Sequence, residues 1–257
     1  RSFGDHNLAL LALFSRKISD SAGNNSVFAF PIYYQDYVGR VTYNYKERYL
    51  TEINMCMNGS EKFAPGKRYG LFPSMSVGWR ISEEPFVKQL AGETLSNLKV
   101  RDSYGQVGSD ADSPRFNYIQ LFNEGANLNY GYTQNLGQGP MYNEGKTADP
   151  NATWETSTVQ NIGIELGLWN KLIVNADLFK EHRTGMLMKR SATMPFWTAL
   201  TADMLPALNM GETKNHGIEL EINWNDKVSR DFSYNIGLGI AMSENRIIFK
   251  GDPYDLP

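Results

Sequence analysis

Along this chain apolar and polar residues alternate with a period of two over many segments, the pattern of strands with one oily and one wet face. In Asn161 to Leu168, the residues Ile162, Ile164, Leu166 and Leu168 share one face, and Asn161, Gly163, Glu165 and Gly167 share the other. Ile218, Leu220, Ile222 and Trp224 oppose Glu219, Glu221 and Asn223 in the same rhythm. So do Tyr49, Thr51, Ile53, Met55 and Met57 against Glu52, Asn54 and Cys56. Met75, Val77, Trp79 and Ile81 oppose Ser74, Ser76, Gly78 and Arg80, and Leu172, Val174, Ala176 and Leu178 oppose Ile173, Asn175 and Asp177. The pattern predicts about nine strands, near 6–17, 34–46, 48–58, 71–82, 97–108, 155–168, 171–184, 212–225 and 231–245, with a further hairpin inside 115–132.

The links between these segments alternate in length. Those near Tyr45 to Arg48, Trp169 to Lys171 and Asn225 to Asp231 are short, whereas those near Asn58 to Gly70, Ser109 to Thr153 and Gly185 to Gly211 are long. Short turns on one side of a membrane and long loops on the other give this spacing in transmembrane barrels. One short-side link is longer: Ser82-Glu83-Glu84-Pro85 followed by Phe86 to Leu90 predicts a capped short helix or turn. Mid-strand charges such as Glu165, Asp177, Glu219 and Glu221 suit a water-filled lumen, although an ordinary antiparallel sheet with one wet face alternates in the same way.

Composition sharpens this picture. Aromatic residues make up 12% of the 257 residues, a level that suits strands and interfacial belts. No run of about 18 uncharged apolar residues exists, so a helical membrane span is excluded, but a barrel strand needs only about 9–11 residues. The net charge of −3, with scattered Lys and Arg, leaves no footprint for nucleic acid. Cys56 is the single cysteine and sits in an alternating segment, so a packed, unreactive thiol is expected. The chain begins at Arg1 and ends in the turn-like Gly251-Asp252-Pro253-Tyr254, from which we expect a segment of a longer protein. An odd strand set with unpaired edges cannot stand by itself in lipid, so the remaining strands should come from a larger parent barrel.

The residues that carry a family likeness are specific. Tyr69-Gly70-Leu71-Phe72-Pro73-Ser74-Met75-Ser76-Val77-Gly78-Trp79-Arg80-Ile81-Ser82, extended by Glu84 and Phe86, is similar to a signature of SusC-like TonB-dependent outer-membrane transporters of the Bacteroidetes. Leu98 to Gly108 resembles the family's next strand. Asp149-Pro150-Asn151-Ala152-Thr153-Trp154-Glu155 with Asn161-Ile162-Gly163, and Asn215-His216-Gly217-Ile218-Glu219-Leu220-Glu221, resemble two later blocks in the same order. Two departures stand out: Met57-Asn58-Gly59-Ser60-Glu61 replaces an Arg-x-Asp-Gly-Ser-Ser loop, and Asp149 replaces an Asn before Pro150. Independently of the family, Pro73 belongs near a strand start or bulge because it lacks a ladder donor. Trp79, Trp154, Trp169 and Trp224 fall near predicted strand ends, where an aromatic belt would lie.

The resemblance implies an all-β fold: an antiparallel transmembrane β-barrel segment, about nine strands of a larger 22-stranded barrel, with long extracellular loops. Residues 1–257 would be a partial barrel domain with a long extracellular loop at about 109–153, the plug domain and TonB box lying elsewhere. It also implies a SusD-like surface lipoprotein and TonB as partners, outer-membrane lipid around the wall, and an oligosaccharide or peptide as cargo, with no cofactor and no enzymatic activity. Candidate ligand contacts in the long loop are Tyr118, Phe122, Tyr130, Tyr132 and Tyr142, whose rings could stack on sugars. Candidate lumen-facing residues are Glu52, Asn54, Arg80, Glu165, Asn175, Asp177, Glu219 and Glu221. The three His are far apart and show no metal-ligand spacing, and Glu219 and Glu221, about 7 Å apart by strand geometry, read as a solvated pair. A soluble extracellular β-sandwich, as a carbohydrate-binding or adhesin module, is the competing reading; it requires the apolar faces to pack on each other.

Overall fold

The computed structural model describes residues 2–19, 30–92, 94–125, 128–129, 138–189 and 204–250. Nine long strands follow the alternating segments: β2 (His6–Ser19), β3 (Ile32–Tyr45), β4 (Tyr49–Ser60), β5 (Tyr69–Arg80), β6 (Leu95–Ser109), β11 (Glu155–Leu168), β12 (Leu172–Lys189), β13 (Ala207–Lys227) and β14 (Ser233–Phe249). With the two-residue β1 (Ser2–Phe3) they form a single antiparallel sheet in the order β1-β2-β3-β4-β5-β6-β11-β12-β13-β14. The sheet does not close, for β1 and β14 are not paired with each other. Seven of the nine strands run two to five residues past the predicted ends on the side of the long links, whereas β6 gains one residue there and β11 starts where predicted. Turn signals mark where pairing must stop at tight hairpins, but nothing in the alternation marks where a ladder stops above them.

The tight hairpins use mirror-image turns. Lys46 and Glu47 between β3 and β4, and Trp169 and Asn170 between β11 and β12, all have positive φ, and Arg48 and Lys171 donate their N–H groups to Tyr45 and Leu168. Two consecutive left-handed residues match the twist of the flanking strands. Between β5 and β6 a 3-10 turn at Ile81–Glu83 leads into helix α1 (Pro85–Ala91) with Pro85 in its first turn. The expected side-chain cap is absent because the Glu84 carboxylate points elsewhere.

The sheet is two-faced. Leu10, Ile53, Met75, Ile164, Ile218, Leu238 and Met242 stand on one face and are 45–72% exposed. Among the described residues only Phe63, Phe72, Ala152, Trp154 and Ala207 are buried apolar groups. A sandwich would bury the strand faces against each other; here the oily face meets no protein, which overturns the sandwich reading. The small core lies on the polar face at the long-loop end, where Phe72 reaches up from β5 to meet Phe63, Ala152 and Trp154. Trp154 is therefore a core residue and not part of a belt: its ring sits 5.2 Å from Phe63 and 5.6 Å from Phe72, and its indole N–H donates to the Arg68 carbonyl. Cys56 packs against the same cluster.

Pro73 lies inside β5, where it still pairs with Met55 of β4. The β5–β6 ladder runs only from Ser74 to Arg80, so the missing donor falls where β5 parts from β6. In the gap above, the Phe72 ring fills the space that a side chain at Gly108 would need.

Candidate functional site

Every predicted lumen residue stands on the polar face. Glu52 and Asn54 of β4 form one cluster: Arg40 of β3 donates to Asn54 at 2.7 Å, Asn54 donates to Glu52 at 2.9 Å, and Arg40 lies 3.6 Å from Glu52. Glu165, Asp177, Asn175 and Glu221 form a second across β6, β11, β12 and β13. Lys99 and Arg101 lie 3.1 and 3.3 Å from Glu165, and Arg101 contacts both oxygens of Asp177 at 2.7 and 2.8 Å. Asn175 and Asn223 donate to Glu221. Glu219 shares this face, directly paired with Asp177, and is exposed. Arg80 stands apart, near the short-turn end, 3.8 Å from the exposed Glu47.

One glycine makes the second cluster possible. Arg101, Gly163 and Asp177 are direct cross-strand neighbours on β6, β11 and β12. Arg101 reaches over the middle strand to Asp177, and a Cβ on Gly163 would sit 2.6 Å from the Asp177 Oδ1 and 2.7 Å from the Arg101 Nε. The Asn-x-Gly block thus has a physical reason: the glycine leaves room for an ion pair that bridges three strands.

The cations Arg40, Lys99 and Arg101 escaped the sequence reading although the signal was present. Lys99, Arg101 and Ser103 alternate with Leu98, Val100 and Tyr104, which fixes their face. The same alternation puts Asp102 on the apolar face between Val77 and Ile162, with a buried carboxylate oxygen that has no hydrogen-bond partner.

The long loop divides into a docked base and a projecting ribbon. Asp110 accepts from Ser60 at 2.7 Å and lies 3.5 Å from Lys62, Arg115 lies 2.7 Å from Glu61, and Lys67 donates to Asn151 at 2.9 Å. These bonds tie both legs of the loop to the β4–β5 connection, the segment where the chain departs from the family's loop pattern. Above the base, β7 (Phe122–Glu124) pairs with β10 (Tyr142–Glu144), and β8 (Leu128–Asn129) pairs with β9 (Gln138–Gly139). The inner hairpin is therefore at 122–144 and not within 115–132, because Phe122–Glu124 pairs with Tyr142–Glu144 and not with a segment before 132.

Phe122, Glu124, Tyr142 and Glu144 share one face of the ribbon, and both rings are more than 60% exposed. Tyr118 is half-buried and lies outside the paired strands of the ribbon. Tyr130 and Tyr132 lie outside the described residues.

At the short-turn end, aromatic residues line the apolar face. Tyr45 stacks on Tyr49 at 6.3 Å, and Tyr49 on Trp79 at 6.4 Å. Glu84, almost fully buried, accepts from Tyr49 at 2.8 Å and from the Trp79 indole at 3.2 Å, and pairs with Arg48 at 3.3 Å. The Tyr49 and Trp79 hydrogen bonds, aided by the Arg48 charge, hold its carboxyl below the usual carboxylate range against the opposing effect of burial.

The comparisons agree with this architecture. Residues 36–256 match the family described as TonB dependent receptor-like, beta-barrel. The TonB-dependent receptor SusC of Bacteroides thetaiotaomicron is 32% identical over 214 residues, covering 82% of this chain and 20% of that protein. The TonB-dependent receptor P3 of Formosa agariphila is 25% identical over 287 residues, covering 100% of this chain and 27% of that one. This chain therefore spans between a fifth and a third of the length of these relatives. Among solved structures, the RagAB peptide importer in its closed-closed state superposes with a TM-score of 0.75 at 18% identity, covering 96% of this chain and 28% of that one. With an open, two-faced antiparallel sheet, short turns at one end, long loops at the other and a match over residues 36–256, the chain belongs to the TonB-dependent receptor β-barrel family, as a SusC-like segment of an outer-membrane barrel wall.

Proposed function

We propose that these residues form wall and outer loops of a TonB-dependent importer that works with a SusD-like surface lipoprotein and takes up oligosaccharides. The observation that carries this reading is the division of labour on the sheet: an unpaired oily face against lipid, and a polar face with a bonded charge network at mid-depth. On this reading the long loop is extracellular, and Glu52, Asn54, Glu165, Asn175, Asp177, Glu219 and Glu221 line the lumen that cargo or plug meets. The exposed Phe122 and Tyr142, flanked by Glu124 and Glu144, form a platform on which sugar rings stack while carboxylates accept their hydroxyls.

Peptide cargo is the second reading, supported by the likeness to an importer that is named for peptides. The test is uptake by cells that carry the whole transporter. Growth on a defined oligosaccharide, lost on deletion and reduced by Phe122→Ala with Tyr142→Ala, supports glycan import. Growth that depends on the transporter only with peptides as sole nutrient transfers the assignment to peptides. Co-purification of a surface lipoprotein from gently solubilised membranes tests the partner, and recovery of the barrel without one removes it.

A further inference from the structure

At the long-loop end, the apolar face changes character on β12, β13 and β14. The last oily cross-strand row is Ile162, Leu178, Ile218 and Met242; the next is Gln160, Lys180, His216 and Glu244; the one beyond is Thr158, His182, Lys214 and Arg246. His182, Lys214 and Arg246 are therefore direct neighbours across three strands, as are Lys180 and His216. Like charges placed opposite one another destabilise a sheet, so this arrangement calls for anions. The protein supplies two. Glu212 lies 2.8 Å from His182 and 4.0 Å from Lys214, and Glu244 lies 3.2 Å from Arg246 and 3.9 Å from His216. Lys180 is exposed, and among the described residues no carboxylate lies within ion-pair distance of it. Three fixed cations and two imidazoles thus share two carboxylates, on the face that is otherwise oily.

We propose that this patch binds the phosphate of an outer-leaflet lipid whose acyl chains lie on the Leu178, Ile218 and Met242 rows. The inference rests on the wall reading above, with the long loops outside. The occupant follows from continuity. Lys180 borders the oily row directly and Lys214 and Arg246 stand one row further out, beyond His216 and Glu244, so one molecule that carries chains below a phosphate fits both parts, whereas a free anion fits only the upper one. Lys214 and Arg246 are directly paired, roughly 5 Å apart at Cβ, and Lys180 lies on the diagonal from Lys214, roughly 7–8 Å away. Lys180 and Arg246 stand two strands and one row apart, roughly 12 Å, so one phosphate between them is reached through the length of their side chains.

The test uses the whole transporter in detergent, with phosphorylated lipid A, its dephosphorylated form and phosphatidylethanolamine followed by native mass spectrometry. We expect phosphorylated lipid A to be retained, with about a tenfold or greater loss in the triple variant Lys180→Gln, Lys214→Gln and Arg246→Gln. Retention by Lys180→Arg, Lys214→Arg and Arg246→Lys is expected as well. Equal binding of the dephosphorylated lipid, equal binding by the Gln variant, or displacement by inorganic phosphate or an acidic peptide at the lipid's own concentration overturns the proposal. A photoreactive residue at Leu220, below the patch, separates the two levels. If Leu220 captures acyl chains but phosphate makes no difference, this inference falls and the wall stands. If Leu220 captures none, the wall reading falls with it.

Discussion

Single residues carry more of this architecture than their exposure suggests. Gly163 keeps clear the path by which Arg101 reaches Asp177, so Gly163→Leu should separate that pair and leave the Asp177 carboxylate uncompensated beside Glu219. Surface ion pairs contribute about 0–1 kcal/mol, but a displaced Arg on a crowded face costs more. A denaturant midpoint of the whole barrel that falls in Gly163→Leu and stays put in Ile164→Leu checks this. Glu84 gives a pH prediction. Its folded carboxyl titrates below the ordinary value, so its contribution is complete above about pH 4.3 and fades as pH falls through the lower folded value. The turn at Arg48, Tyr49 and Trp79 should therefore loosen on acidification, visible as a change in Trp79 fluorescence, while Glu84→Gln should show the loosened signal at neutral pH and no acid step.

At the scale of elements, the long loop depends on its base. Trp154→Ala removes the ring between Phe63 and Phe72 and should cost about 3–5 kcal/mol of local stability. Residues 110–154 should then be cut by protease far faster, with the strands themselves still protected; an unchanged cutting rate would mean that the polar ties to Asp110, Arg115 and Asn151 suffice. This base was invisible in the sequence. Alternation marks which face a strand residue takes, and it found all nine strands. It is silent on Trp154, Phe63 and Arg115, which lie outside strands and find their partners, Phe63 for Trp154 and Glu61 for Arg115, only through tertiary contact. The placement of Trp154 in an aromatic belt failed for that reason: proximity to a strand end does not say on which face a loop residue folds back.

For the whole molecule, the two-faced sheet sets the solvent it requires. Leu220 lies within the apolar band between Ala176 and Ile240, and Leu220→Arg should destabilise the assembled barrel by about 2–4 kcal/mol, read as a lower midpoint in lipid vesicles. The same change at Asn223, on the polar face, should cost little. Expressed as it stands, without detergent, the chain should not yield a folded monodisperse monomer, since its oily face and the open ladder of β14 remain uncovered. The wall was legible because lipid imposes a strict period of two on every strand. The charge network was only half legible, because acids drew notice in mid-strand while Lys99, Arg101 and Arg40, equally periodic, were not singled out.

The parting of β5 from β6 above Ser74 has a mechanical side. Over that stretch the two strands are joined by the Phe72 ring against Gly108 and not by backbone bonds. The same ring is the seat of the long loop. A pull on the ribbon therefore enters the wall at this seam, and the load there should open bonds one after another from Ser74 downward. In a single-molecule pulling experiment with the handle near Tyr142, the first rip should be small and should report this unzipping, ahead of any strand leaving the sheet.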